Sequence, residues 1–158
     1  MIIKEFQGEN SLFSNFWFAP AKYDDVVYPT REHAYQASKA FPSFQILVVD
    51  KTGKEMLVNY RQAILDCKKP WEAKRLGRRA KLRPNWEVVK YSTMYEIVLD
   101  CFIRNPEMKR KLLGTGDDIL QEGNRWGDTD WGIDLGTGKG ENNLGKILML
   151  VRGKLREA

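Results

Sequence analysis

The stretch from Trp86 to Arg104 runs between two brackets, Pro84-Asn85 before it and Asn105-Pro106 after it. Proline has no backbone N–H to give and a fixed φ, so it is tolerated just ahead of a helix and stops one at its end. These brackets predict the longest helix of the chain, the rod against which the other elements must pack. Trp86, Lys90, Met94, Ile97 and Cys101 recur along one stripe of it, while Ser92, Glu96 and Asp100 mark the solvated sector. Lys90 therefore stands among apolar neighbours. Desolvation would lower its pKa and make it a nucleophile toward a sugar's anomeric carbon; alternatively, its stem covers the core while the ammonium reaches water.

Around that rod the pattern predicts a short strand at Ile2 to Phe6 and two extended pieces at Phe16 to Phe18 and Val26 to Tyr28. Thr30 is a suitable N-cap for a helix from Arg31 to about Phe41, where Pro42 ends it. Further helices are expected over Glu55–Cys67, Pro70–Lys81, Glu107–Leu113 and Leu144–Leu155, with a brief strand at Ile119 to Glu122 and a loop from Gly123 to Asn143. The expected fold class is α+β, a helix-rich single domain over residues 1–158 with a few short N-terminal strands.

The longest purely apolar run, Ile46 to Val49, is far short of the ~20 residues a membrane span requires. No signal peptide opens the chain, and Cys67 and Cys101 lack the close Cys or His neighbours of a metal site, so a reducing cytoplasm, no metal and no cofactor are expected. The single histidine, His33, excludes a zinc centre built on several histidines and reads as structural. A net charge of +5 favours an anionic partner. Much of the excess lies in Lys68, Lys69, Lys74, Arg75, Arg78, Arg79, Lys81 and Arg83, which form either a surface that attracts phosphates, DNA included, or simply a solvated helical face.

Three further segments carry residues suited to chemistry. At ~100° per residue, Glu32, Gln36 and Lys39 share one face of their helix with Tyr35 beside it, enough to orient sugar hydroxyls and move a proton, or to form an exposed Glu–Lys pair. In Glu122-Gly123-Asn124-Arg125-Trp126-Gly127-Asp128-Thr129-Asp130-Trp131-Gly132, two Trp-Gly steps flank carboxylates that suit water activation or an oxocarbenium-like sugar. The tryptophans pack against the core or a flat ligand. Gly136 to Gly145 enters the last helix through Asn142 and could hold a phosphate at the helix N-terminus, but it lacks the Gly-Lys-Ser/Thr ending of a P-loop.

Taken in order, several motifs resemble the NADAR family, also called YbiA-like proteins. They are Ser14-Asn15-Phe16, Tyr28-Pro29-Thr30-Arg31-Glu32-His33 with Gln36 and Lys39, Ala73 to Arg78, Trp86 to Lys90 with Met94, and Leu113 to Asp117. Glu122, Trp126-Gly127-Asp128, Trp131-Gly132, Gly140 to Gly145, Leu148-Met149 and Val151-Arg152 complete the set. The segment between about Phe44 and Tyr60 departs from the family's pattern.

The resemblance implies N-glycosidase chemistry. Family members are associated with ribosylamino-pyrimidine phosphates, early intermediates of riboflavin synthesis, and with ADP-ribose attached to guanine, including guanine in DNA. It implies that Glu32, Lys90, Asp128 and Trp131 are central to catalysis, and that Ser14, Asn15, Gln36, Lys39, Trp86, Glu122, Trp126, Gly127 and Asn142 bind or position substrate. The expected partner is a ribosyl-phosphate or ADP-ribosyl substrate, free or linked to nucleic acid. In the expected sequence of events, phosphate docks near Asn142, Glu32 or Asp128 manages the proton, and Lys90 attacks the anomeric carbon to give a Schiff base. The rival expectations are a non-catalytic module for ADP-ribose or NAD-derived ligands, and a nucleic-acid-binding protein centred on the basic stretch.

Overall fold

In the computed structural model, which describes residues 1–157, Thr30 ends a strand and caps a helix at once. Strands β2 (Phe18–Tyr23) and β3 (Val26–Thr30) follow a two-residue β1 (Ile2–Ile3) and form an antiparallel hairpin. Its turn places Asp24 and Asp25 in the left-handed region, φ 48° and 63°, as a tight two-residue hairpin demands. Pro20 can give no ladder hydrogen bond, and the register shifts between Phe18 and Ala21. Thr30 Oγ1 then accepts from the His33 N–H, and helix α1 (Arg31–Ser38) begins.

All eight residues of α1 are buried, including Arg31, Glu32, His33 and Gln36. Of the two readings of this helix, the solvated Glu–Lys face gives way to burial. The helix packs against α2 (Tyr60–Asp66), α3 (Pro70–Gly77), α4 (Trp86–Arg104) and the β2–β3 hairpin. His33 is structural: Nδ1 lies 2.7 Å from Thr30 Oγ1 and Nε2 lies 2.8 Å from the Cys67 carbonyl. Proline 42 disfavours helical backbone before it, and α1 ends at Ser38 rather than Phe41.

Residues 45–59 depart from expectation. Strands β4 (Gln45–Val49) and β5 (Glu55–Asn59) pair antiparallel where the sequence reading began a helix at Glu55. Asp50 closes the turn, its Oδ1 accepting from the backbone of Thr52 and Lys54 and from the Thr52 hydroxyl. The helical pattern starts only at Tyr60, where Asn59 supplies the cap to the Gln62 N–H.

The central rod α4 spans the residues its brackets predict and packs on α1, β2 and the last helix. Helix α5 (Pro106–Gly114) and strand β6 (Ile119–Leu120), which pairs in parallel with β1, lead into a loop pinned by β7 (Gly123–Asn124) and β8 (Ile133–Asp134). Helix α6 (Asn143–Arg156) closes the fold. One continuous core runs through these elements, with Phe13 stacked on Phe102 at 6.4 Å and Met94, Ile97, Leu120 and Leu148 beside them. The fold is α+β, helix-rich with short strands. Among the described residues no helix is long and apolar enough to cross a membrane, and both cysteines are free.

Candidate functional site

Arg31 organises one wall of a cavity without lining it. Its buried guanidinium donates to three successive carbonyls, Leu12 at 2.5 Å, Phe13 at 3.3 Å and Ser14 at 2.6 Å, and lies 5.2 Å from the Phe102 ring centroid. A buried cation needs such satisfaction, and here it comes from backbone. The grip fixes the segment after the first 3-10 turn, so that the Glu32 N–H reaches the Asn15 carbonyl at 3.1 Å. Ser14, Asn15 and Phe16 are thereby set against the α1 face that carries Glu32, Tyr35, Gln36 and Lys39.

The resulting cavity has a volume of about 450 Å³ and is completed by Lys74 of α3, Met94 of α4, Glu122, Trp126, Gly127, Asp128, Trp131 and Leu144. Such a volume falls in the range of small-molecule sites. Side chains 112 positions apart, Ser14 and Trp126 among them, meet there. Gln36 Nε2 donates to Glu32 Oε1 at 2.8 Å. Gly77 of α3 makes room for that amide: a Cβ at Gly77 would fall 1.9 Å from Gln36 Oε1. Three acceptor oxygens on cavity residues, Asn15 Oδ1, Gln36 Oε1 and Glu122 Oε2, are buried with no hydrogen-bond partner. Buried polar atoms are normally paired. These three are suited to the hydroxyls of a sugar or the N–H groups of a base.

The acidic loop is held from within and from both neighbouring helices. Asn124 is buried; its Nδ2 donates to the Asp128 carbonyl at 2.8 Å and its Oδ1 accepts from the Trp126 and Asp128 N–H groups. Asp128 Oδ1 in turn accepts from the N–H groups of Asp130 and Trp131. Asp130 bonds Lys90, Tyr91 and Asn143. The two tryptophans divide the alternatives open in the sequence. Trp131 packs edge-on to Tyr35 at 5.4 Å, whereas Trp126 is 67% exposed at the cavity.

Electrostatics distinguish the titrating groups. Burial raises the Glu32 carboxyl, and Asp128 adds to this, against the Gln36 hydrogen bond, Lys74 and Lys39. Burial, with Asp128 and Glu32, holds Glu122 up to about 7 against Arg31 and Lys74. Burial lowers Lys39, reinforced by Lys74, Lys90 and Arg78 and opposed by Glu32. Among the described residues no carboxylate forms a salt bridge with Lys39 or with Lys74.

Three sequence-designated residues do not line the cavity. Lys90 Nζ is paired with Glu87 at 2.7 Å and Asp130 at 3.0 Å. Burial would lower its pKa, but these two carboxylates outweigh burial and raise it, which overturns the expectation of a lysine activated by apolar surroundings. Trp86 stacks behind Tyr35 at 5.5 Å. Asn142, with φ 53°, turns inward: Nδ2 donates to the Leu120 carbonyl and Oδ1 accepts from the Glu122 N–H. The N–H groups of Asn142, Asn143 and Leu144 are taken by carbonyls of Gly132, Asp130 and Trp131, so the phosphate site expected at this helix start is already filled by the protein's own loop. Conversely, Phe16, Tyr35, Lys74, Met94 and Leu144 line the cavity without having been singled out as site residues. Lys74 stood in the sequence as one cation of a basic stretch and within the Ala73 to Arg78 motif, with no role of its own.

A helix-centred α+β fold here collects three carboxylates and two lysines without salt-bridge partners around a hollow of about 450 Å³, a set of groups able to support acid–base and nucleophilic chemistry. The NADAR domain model matches residues 3–156, and the chain belongs to this family. It is 37% identical over 145 residues to a protein of Escherichia coli (strain K12) named N-glycosidase YbiA, covering 90% of this chain and 80% of that one. It is 31% identical over 150 residues to the riboflavin biosynthesis protein VVA0006 of Vibrio vulnificus, covering 94% of this chain and 36% of that one. Among solved structures, the NMR structure of E. coli YbiA superposes with a TM-score of 0.77 at 33% identity, covering 99% of this chain and 84% of that one.

Proposed function

We propose that this chain is an N-glycosidase that hydrolyses the bond between ribose C1 and a base nitrogen. The observation that carries the reading is the meeting of Glu32, Glu122, Asp128 and Lys39 on one cavity, in a chain whose relatives include a named N-glycosidase. Breaking a ribosyl C–N bond needs a proton for the departing base and a partner for an electron-poor anomeric carbon. Carboxylates supply the first. Lys39, rather than Lys90, supplies the second: it lines the cavity, lacks a carboxylate partner and has its pKa lowered by burial. Its amine attacks C1, the C–N electron pair leaves with the base, and the ring opens to an imine. Water then adds to that imine and frees the amine and the sugar. Lys74, which lines the cavity, is the candidate to hold a phosphate, and the exposed Trp126 and Phe16 rings are candidates to stack on a flat base.

For the substrate, we favour ADP-ribose on guanine, as a nucleoside or within DNA. Among the described residues, no salt bridge involves any of the eight cations from Lys68 to Arg83, and exposed aromatics stand among them. Lys69 Nζ lies 5.8 Å from the Phe18 ring centroid, Lys74 Nζ 5.9 Å from Phe16, and the Arg75 guanidinium 5.2 Å from Trp71. Cations interleaved with aromatics suit a phosphate backbone with stacked bases, and a small metabolite has no use for so wide a surface. The Vibrio relative's name favours the second reading, a ribosylamino-pyrimidine phosphate. Side-by-side incubation with both substrate classes, followed by mass spectrometry, tests the assignment. Free guanine and ADP-ribose are expected; turnover of the pyrimidine phosphate alone would reverse the preference. Stoichiometric binding with no product would make the chain a binding module.

A further inference from the structure

The three carboxylates of the cavity are not equivalent. Glu32 Oε1 accepts from Gln36, and Asp128 Oδ1 is occupied by the N–H groups of Asp130 and Trp131. Each therefore has one oxygen engaged as an acceptor from the chain itself. Glu122 differs: its Oε2 is buried and has no partner.

The backbone of Glu122, by contrast, is tightly held. Its N–H donates to Asn142 Oδ1 at 2.9 Å, and its carbonyl accepts from the Ile133 N–H at 2.9 Å. Gly132 lies so close that a Cβ there would fall 2.2 Å from the Glu122 carbonyl oxygen and 3.1 Å from its Cγ. This is a rigid mount for an uncommitted carboxyl on the cavity wall. The inward turn of Asn142, with no use in phosphate binding, gains a purpose as part of that mount.

We propose, resting on the N-glycosidase reading above, that Glu122 is the acid that delivers the proton to the departing base. Its surroundings keep that proton available near neutrality. Glu32 and Arg31 face it from α1, Lys74 from α3 and Asp128 from the loop. The Arg31 Nη1 and Nη2 groups are committed to the carbonyls of Leu12, Phe13 and Ser14, its Nε has no partner, and it makes no hydrogen bond to Glu122. Burial and the two carboxylates accordingly outweigh the two cations. In the forward step the proton passes from Glu122 to the base nitrogen as the C1–N bond breaks, its electron pair leaving with the base. Glu122 is then an anion, and it recovers its proton from the water that completes hydrolysis. Glu32 and Asp128 stay beside the sugar on the cavity wall.

Two measurements on the whole chain decide this. The first is the pH profile of kcat/KM for base release, in the wild type and in Glu122→Gln, which preserves volume and hydrogen-bonding reach. The expected wild-type profile falls on its alkaline side, starting near neutrality. In Glu122→Gln the rate drops by about 100-fold or more and the alkaline limb disappears, with KM changed much less than kcat. A variant that keeps the limb, whether its rate is lowered or not, overturns the proposal. The second is a carboxyl carbon titration by NMR in the wild type, which needs neither a folded variant nor a substrate. A midpoint near neutrality for Glu122 supports the role; a midpoint in the ordinary glutamate range overturns it. The wild type's turnover judges the N-glycosidase reading separately, since Glu122 can titrate high in a site that cleaves nothing.

Discussion

Lys90 Nζ lies 3.0 Å from Asp130 Oδ2, and the pair ties the acidic loop to the central helix. Asp130 also accepts from the Tyr91 hydroxyl at 3.0 Å and from Asn143 Nδ2 at 2.8 Å, so one carboxylate joins the loop, α4 and the start of α6. In the proposed mechanism this pairing gives Lys90 a positioning role. Replacing it with alanine should cost about 1–2 kcal/mol, a melting shift of roughly 2–6 °C, and should lower activity by displacing Asp128 and Trp131. Lys90→Arg should restore much of both. Calorimetry alongside a turnover assay checks this, and an alanine variant that keeps its melting temperature while losing all turnover would contradict it.

Gly77 is matched to Gln36 in the same way. A methyl group at Gly77 would overlap Gln36 Oε1 at 1.9 Å and Cδ at 2.7 Å, so Gly77→Ala must drive the amide away from Glu32. The helix itself tolerates alanine well. The expected outcome is a protein that folds but whose kcat/KM falls by about 10-fold or more, from misplacing a buried polar group of the site. Retention of wild-type kinetics would show that Gln36 does not orient Glu32 or substrate.

Stability should carry the signature of Glu122. Its folded-state pKa, held up to about 7, exceeds the value it takes in the unfolded chain. Between those two values the folded state binds the proton and the unfolded state does not, so stability falls as pH rises through that window. Glutamine carries no such dependence. Glu122→Gln should therefore gain on the wild type as pH rises, by on the order of 2–3 kcal/mol between about pH 4 and about pH 8. Thermal melts across that range read the difference directly; parallel curves would show that Glu122 titrates as an ordinary surface carboxyl.

The basic and aromatic apron should matter only for long substrates. Charge reversal at Lys69 and Arg75, neither of which lines the cavity, should raise KM for a modified oligonucleotide by about 10-fold or more and reduce its salt dependence. A modified nucleoside should be turned over nearly as before. Equal losses on both substrates would assign these cations to the fold.

The helices were legible because proline, asparagine and threonine mark their ends; the brackets around Trp86–Arg104 required nothing from the rest of the chain. The β4–β5 hairpin was not, because both of its faces are largely exposed and its strands show little apolar contrast. Glu55–Asn59 also runs without a break into α2. On helix α1 the sequence left two readings open, a site face or a solvated one, and only the surroundings decide between them. A wheel cannot show that α2, α3, α4 and a hairpin bury this helix and leave Glu32 and Gln36 facing a cavity. The choice between Lys39 and Lys90 lay beyond the sequence for a similar cause. Of the two carboxylates that pair Lys90, Glu87 stands three positions back on α4, but Asp130 is forty positions away and nothing along α4 announces it. Glu32, Gln36, Lys39, Glu122 and the Trp126–Trp131 loop were all legible as site candidates, since polar and aromatic groups are costly to place as these are without a ligand or a partner.

The central claim is that one cavity breaks a ribosyl C–N bond with Lys39 as the attacking group. Borohydride reduction during turnover of ADP-ribosyl-guanosine, followed by peptide mass mapping, addresses it most directly. Released guanine is expected together with an ADP-ribose adduct on Lys39, absent in Lys39→Ala and present in Lys90→Ala. An adduct on Lys90 instead, or full turnover by Lys39→Ala, would contradict it.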